Sequence, residues 1–325
     1  MSTTSPGYAL GRFADGRDEF TGVVVGEVVH PLVPGEVLDG PATVPALLED
    51  WRTAEPRLRE LAATRHPGQG RPLAGLRVLV PVQPRQVLQA GANYRTHVAD
   101  LHLASRARGD RRPVEAVRRH VEKTMDEQAR SGRPFVFAGL PSALSGAYDD
   151  VLLPPESAQV DWEAELAVVI GAPAHRVRRE DAMAHVAGYT ICNDVSARDL
   201  QFPSEHRQLG GDWLRAKNRP TFLPTGPWFV PASQVGDHRE LRITLDLNGR
   251  RMQDEDAGGM LFDVAQLIAS ASAAARLLPG DLLLTGSPVG NGGYWNRWLR
   301  PGDVMETAIT GLGTQRTRCV AEVVD

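Results

Sequence analysis

The sequence predicts an α+β fold in which β structure dominates. Three observations carry that reading. Short aliphatic and β-branched runs are separated by turn residues, glycine and proline are abundant (32 and 24 residues), and helical periodicity is confined to few stretches. Residues 8–13, 21–25 and 27–30 read as strands joined by polar turns such as Asp15-Gly16. A helix at 44–61 follows, residues 65–71 read as a linker, and a strand at 78–82 closes a small N-terminal domain, 1–84. The second domain, 85–325, opens on an apolar strand at 86–94 that ends in Asn93-Tyr94. Residues 97–133 are rich in Arg and Glu and show no clear apolar face. A polar stretch of that length reads either as a lid over a site, about 93–135, or as a solvated helical excursion. After Leu140, strands recur at short intervals around one helix at 262–277, where Phe262, Ala265, Ile268, Ala269 and Ser272 repeat at helical spacing. Residues 282–286 read as a buried strand entering a glycine-rich loop at 287–293, and 303–309 and 317–324 read as closing strands.

Composition narrows the class. At 325 residues, with 42% hydrophobic and 23% charged residues, the chain has the profile of a soluble globular protein. A net charge of −4 gives no support for a nucleic-acid surface. Cys192 and Cys319 show no metal-binding or disulfide spacing and read as reduced, buried thiols of a cytoplasmic protein. Residues 1–6 carry no basic region followed by an apolar stretch, and no apolar run reaches the length of a membrane span.

The chemistry centres on Val160-Asp161-Trp162-Glu163-Ala164-Glu165-Leu166-Ala167-Val168-Val169-Ile170-Gly171. Read as one strand, it puts Asp161, Glu163 and Glu165 on one face. Alternating acids occur on exposed strands, but the aliphatic run beside these points to burial on both faces. Adjacent buried carboxylates are costly unless a cation lies between them. A third acid, Asp194, stands at a strand end in Ile191-Cys192-Asn193-Asp194. Three carboxylates make an all-oxygen site suited to Mg²⁺, Mn²⁺ or Ca²⁺ rather than zinc.

These residues resemble the metal-binding strand of the fumarylacetoacetate hydrolase superfamily. Asn193-Asp194-Val195-Ser196-Ala197-Arg198-Asp199-Leu200-Gln201 is similar to its second signature, and Lys217 with Pro224-Thr225-Gly226-Pro227 to its third. Leu284-Thr285-Gly286-Ser287-Pro288 and Gly311-Leu312-Gly313-Thr314 resemble its C-terminal signatures. The order holds from about Gln86 to the end, and residues 8–80 resemble the small N-terminal α/β domain of longer members. The resemblance implies a C-terminal roll or barrel of mixed β-sheet, a homodimer, and Mg²⁺ or Mn²⁺ on Glu163, Glu165 and Asp194. It also implies that Tyr94, Arg95, Gln201 and Lys217 face substrate, with Ser287 in place of the usual threonine at the substrate carboxylate. The alternative for Lys217 is a surface lysine, but its place between Trp213 and Phe222, near a metal site, favours an anion-binding role.

The family's acid–base pair is a His with a Glu three residues on; here His97 and Asp100 hold those places. That spacing puts both on one helix face, where the carboxylate can orient the imidazole. An isolated pair of this kind also occurs on surfaces, and His102 and Glu115 are possible substitutes. Asp100 is shorter than the family's Glu, and the loop 288–298, with Asn291, Tyr294, Trp295 and Trp298, is unusually aromatic.

The resemblance implies metal-dependent hydrolysis of a C–C bond in an acylpyruvate-like β-diketo acid, through an enolate whose charge the metal stabilises. Decarboxylation of an oxaloacetate-like acid, or hydration or isomerisation of an enol acid, would use the same centre. A non-catalytic binding protein is the third reading. Against it stands the joint presence of His97, Glu163, Glu165, Asp194 and Lys217.

Overall fold

The computed structural model describes residues 7–104 and 112–323, and β structure dominates them, as the sequence predicts. Strands Ala9–Asp15, Asp18–Val25 and Val28–Pro31 form an antiparallel meander. Arg71–Pro72 and Arg77–Leu79 complete its five-stranded sheet. The helix expected at 44–61 is two helices, Val44–Glu49 and Trp51–Thr64. Asp50 leaves helical geometry (φ −128°, ψ 54°), and its carbonyl starts the second helix by accepting from the Thr53 and Ala54 N–H groups. The expected linker at 65–71 contains the helical turn Pro67–Gln69 and runs into the edge strand.

An eight-stranded mixed sheet and a second five-stranded sheet build the remainder. At the centre of the larger sheet, Ala164–Ile170 lies antiparallel to Val186–Asn193 on one side and Leu282–Leu284 on the other. Alternation sends Leu166, Val168 and Ile170 into a core with Ile243, Leu245 and Met305 of the second sheet. It sends Ala167 and Val169 into a different core with Leu10, Val23, Leu47 and Leu48 of the N-terminal unit. Burial of all seven residues explains why this strand shows no polar alternation. Each large aliphatic side chain so buried contributes about 1.5–3 kcal/mol. Reciprocal backbone bonds between Leu10 and Phe229, both 2.8 Å, join the N-terminal sheet to the larger one. Cys192 and Cys319 are free and buried. Among the described residues, no helix is long and apolar enough to cross a membrane.

Two expectations are corrected here. Residues 160–170 are not one strand. Val160–Asp161 pairs separately with Ser196–Ala197, while Trp162 and Glu163 leave the ladder. Side-chain bonding takes over at the break: Glu163 N–H donates to Asn193 Oδ1 (2.9 Å) and Asp194 N–H to the Glu163 carbonyl (2.8 Å). The second correction concerns 97–133, which does carry an apolar face. Helices Arg95–Ala104 and Val114–Ser131 occupy it, and the latter buries Val117, Val121 and Met125 one turn apart. The remainder of that stretch, 105–111, lies outside the described residues, as do the leader reading at 1–6 and residue 324 of the last expected strand.

The helix Val264–Ala274 starts on a capping box. Asp263 Oδ1 accepts from Gln266 N–H (2.8 Å), and Gln266 Oε1 accepts in return from Asp263 N–H (3.1 Å).

Candidate active site

The break at Trp162-Glu163 lets three acids converge. Glu163, Glu165 and Asp194 are all buried, and one oxygen from each lies within 4.8 Å of the others. Glu165 Oε2 accepts from Gly286 N–H at 2.7 Å. Gly286 has φ +90°, and a Cβ there would stand 2.8 Å from the Asn93 Cβ, so the position calls for glycine. With its amide nitrogen turned toward Asp194, Gln89 donates to both carboxylate oxygens at 2.7 and 2.8 Å. Lys217 Nζ donates to Glu163 Oε2 and Asp194 Oδ2, each at 2.5 Å. Arg198 bonds Glu163 Oε1 (2.5 Å) and Asp161 Oδ2 (2.8 Å).

Charge separates the carboxylates into two kinds. Burial pushes Glu163 up, but the charges of Arg198 and Lys217 outweigh it and hold this carboxyl well below its usual range. Glu165 has no cation bonded to it among the described residues. Burial, with the charges of Asp194 and Glu163, drives it well above the usual range. Burial raises Asp194 to about 6 against the pull of Lys217. Burial would depress Lys217, yet Asp194 and Glu163 raise it, so it stays charged. Four buried carboxylates, Asp161 included, face two cations, and the formal charge of minus two is what one divalent ion cancels. The hard oxygen donors and this charge deficit fit a divalent metal.

Binding such an ion requires Glu165 and Asp194 to lose their protons. Mn²⁺ binding is therefore expected to release protons near neutral pH and to weaken as the pH falls through about 6. Calorimetry in buffers of different ionisation enthalpy checks this, and binding without proton release would contradict these two ligands. In the metal-free protein the raised Glu165 acts the opposite way on stability. Its contribution is complete below the ordinary carboxylate range and is lost as the pH rises through the folded value.

Residues 86–320 match the family model for the fumarylacetoacetate (FAA) hydrolase C-terminal domain. The chain belongs to the fumarylacetoacetate hydrolase family. Within that family it is 36% identical over 276 residues to the mitochondrial oxaloacetate tautomerase FAHD2B of Bos taurus, spanning 84% of this chain and 78% of the relative. It is 44% identical over 186 residues to the 2,4-didehydro-3-deoxy-L-rhamnonate hydrolase of Sphingomonas sp. (strain SKA58). That match takes in 56% of this chain and 64% of the relative, so less than two thirds of the latter's length is spanned. The crystal structure of maleylpyruvate hydrolase from Sphingobium sp. SYK-6, in complex with manganese(II) ion and pyruvate, is similar with a TM-score of 0.72. The similarity covers 97% of this chain and all of that one at 27% identity. The manganese of that relative and the buried acidic triad here together support a divalent metal.

A cavity of about 610 Å³ opens over the triad of this fumarylacetoacetate hydrolase family member, and His97, Asp100, Gln201, Lys217 and Ser287 all line it. His97 is buried, and desolvation lowers its pKa despite the neighbouring Glu163, so the imidazole is neutral at pH 7. Asp100 Oδ1 accepts from Arg118 at 3.0 Å, and no hydrogen bond joins it to His97 among the described residues. Ser287 Oγ accepts from Gln253 Nε2 at 2.7 Å.

Tyr94 and Arg95, expected to face substrate, are not among the residues that line this cavity. The strand stops at Gly91, and Ala92 (φ 52°) turns the chain. Asn93 then points inward, bonding the Phe262 backbone and the Thr285 carbonyl, and the Tyr94 side chain is fully buried. Arg95 faces outward, paired with Asp126. Glu115 is exposed, and the His102 side chain lies outside the described residues. Sequence reasoning assigned no role to Arg198, Gln89 or Gln253. Arg198 stands inside the second signature, and pairing that signature with Val160–Asp161 would have pointed to it.

Proposed function

We propose that this chain is a divalent-metal-dependent hydrolase that cleaves the C–C bond of an acylpyruvate-type β-diketo acid. The observation that carries the proposal is a buried, neutral His97 lining the same cavity as the acidic triad. A divalent ion held by Glu163, Glu165 and Asp194 would supply Lewis acidity to the dioxo head and stabilise the negative charge that develops there. His97 takes a proton from water at a ring nitrogen as the water oxygen attacks the distal carbonyl. The bond between that carbonyl carbon and the neighbouring methylene carbon breaks, leaving a carboxylic acid and the enolate of pyruvate. The imidazolium returns its proton to the methylene carbon, which becomes a methyl group. Ser287, held by Gln253, and Gln201 position the substrate carboxylate. Lys217 and Arg198 keep the Glu163 carboxylate ionised and aimed.

His97→Ala is expected to lower kcat for a diketo acid by about 10²–10⁴-fold, the usual contribution of a positioned base, with Mn²⁺ affinity retained. Loss of diketone absorbance with product identification reads turnover, and calorimetry with Mn²⁺ reads the affinity; an unchanged kcat would remove His97 from the reaction. A second reading draws on the oxaloacetate tautomerase relative. There His97 would shuttle a proton between carbon and oxygen of a 2-oxo acid, breaking a C–H bond and forming an O–H bond with no C–C bond cleaved. Products separate the two, because only hydrolysis yields two acids.

A further inference from the structure

We infer that the substrate's distal end is an uncharged, flat apolar group, and that Trp213 with Phe137 selects it. The inference deepens the diketo-acid reading and rests on it. The Lys217 ammonium lies on Glu163 and Asp194 and marks the metal end of the cavity. The Phe137 ring centroid is 5.9 Å from that ammonium, and the Trp213 ring centroid is 4.6 Å from that of Phe137. Phe202 meets Trp213 edge-on at 6.0 Å. Trp213 and Lys217 begin and end one helix, Trp213–Lys217, so their four-residue spacing puts both on one face a turn apart. Phe137 comes from a separate element, the strand Phe135–Gly139. Tyr294 and Trp298 add aromatic surface to the same cavity from the loop after Ser287.

The cations complete the argument. Among the described residues lining the cavity, the permanent cations are Arg198 and Lys217. Both are committed to carboxylates of the chain itself, Arg198 to Asp161 and Glu163, Lys217 to Glu163 and Asp194. A second carboxylate at the far end of a substrate would lose water against aromatic rings, with no uncommitted cation among the described lining residues to receive it. A phenyl or alkenyl tail would instead stack in the offset and edge geometries these rings already adopt toward one another. The preferred class is therefore a monocarboxylic 2,4-dioxo acid with an aryl or alkenyl tail, rather than a dicarboxylic one.

The test compares benzoylpyruvate with the dicarboxylic fumarylpyruvate on the Mn²⁺-loaded protein. The ratio of their kcat/KM values is expected to favour benzoylpyruvate by about tenfold or more, and Trp213→Ala to reduce that ratio by about tenfold. Trp213→Phe, which keeps a ring, should preserve most of it. Trp213 opens the helix that carries Lys217, so Phe137→Leu supplies a second variant on another element, with the same direction expected. Binding of both acids is measured apart from turnover, by calorimetry. Tighter binding of benzoylpyruvate with neither acid cleaved would uphold the pocket assignment and remove the hydrolase reading. Equal or tighter binding of fumarylpyruvate, or no binding of benzoylpyruvate, overturns the inference.

Discussion

Glu163→Gln and Glu165→Gln are each expected to lower kcat/KM by about a thousandfold or more, while moving the stability of the metal-free protein in opposite directions. The common loss follows from the common role. A divalent ion supplies several kcal/mol of charge stabilisation, and a missing ligand forfeits much of it. The opposite stabilities follow from the partners. Glu163 bonds both Arg198 and Lys217, so its amide analogue leaves two buried cations short of charge. Glu165 accepts one backbone N–H and otherwise meets the repulsion of Asp194 and Glu163, so its amide analogue removes that repulsion. The gain for Glu165→Gln should grow as the pH rises above the ordinary carboxylate range, because the wild-type carboxyl then ionises in the unfolded chain but not in the fold. Thermal melts of the chelator-treated variants between about pH 5 and 8, beside steady-state kinetics with Mn²⁺, give both readouts. Full activity in the double variant would end the metal mechanism.

Lys217→Met is expected to destabilise the metal-free protein by about 3–5 kcal/mol, the usual cost of stranding a buried charge. Its ammonium bridges Glu163 Oε2 and Asp194 Oδ2, on two of the three carboxylates that a bound metal would use. Lysine and metal therefore compete for the same carboxylates. Without the lysine the site becomes more negative, so Mn²⁺ should bind more tightly and recover much of the lost stability, while turnover falls. Denaturant unfolding with and without Mn²⁺, together with a direct affinity measurement, distinguishes this from simple damage to packing. Weaker Mn²⁺ binding in the variant would contradict the competition.

How much of this was legible in the sequence depended on the range of the interactions. The strand Ala164–Ile170 announced itself because burial on both faces leaves a purely apolar run. Its neighbouring acids were legible because a buried pair demands a cation. The apolar face of the helix Val114–Ser131 was missed, since Val117, Val121 and Met125 are a thin stripe in a highly charged segment. The strand before Tyr94 was read too long because it was extended through Ala92, whose positive φ nothing local signals. Gln89 and Gln253 reach the site from strands far away in sequence, and no spacing rule finds them. Arg198 needed the pairing of Asp161 with Ser196, which links residues on two different strands.

The central strand also has a consequence for cooperativity. Leu166, Val168 and Ile170 belong to one core, Ala167 and Val169 to another that the N-terminal unit completes. The strand is a party wall between two rooms, with Glu165 near its end. Opening either room loosens the wall, so the N-terminal unit is a structural support of the acidic triad although none of its described residues lines the cavity. A cation gripping Glu165 would accordingly hold shut both the catalytic sheets and the meander at the far end of the chain.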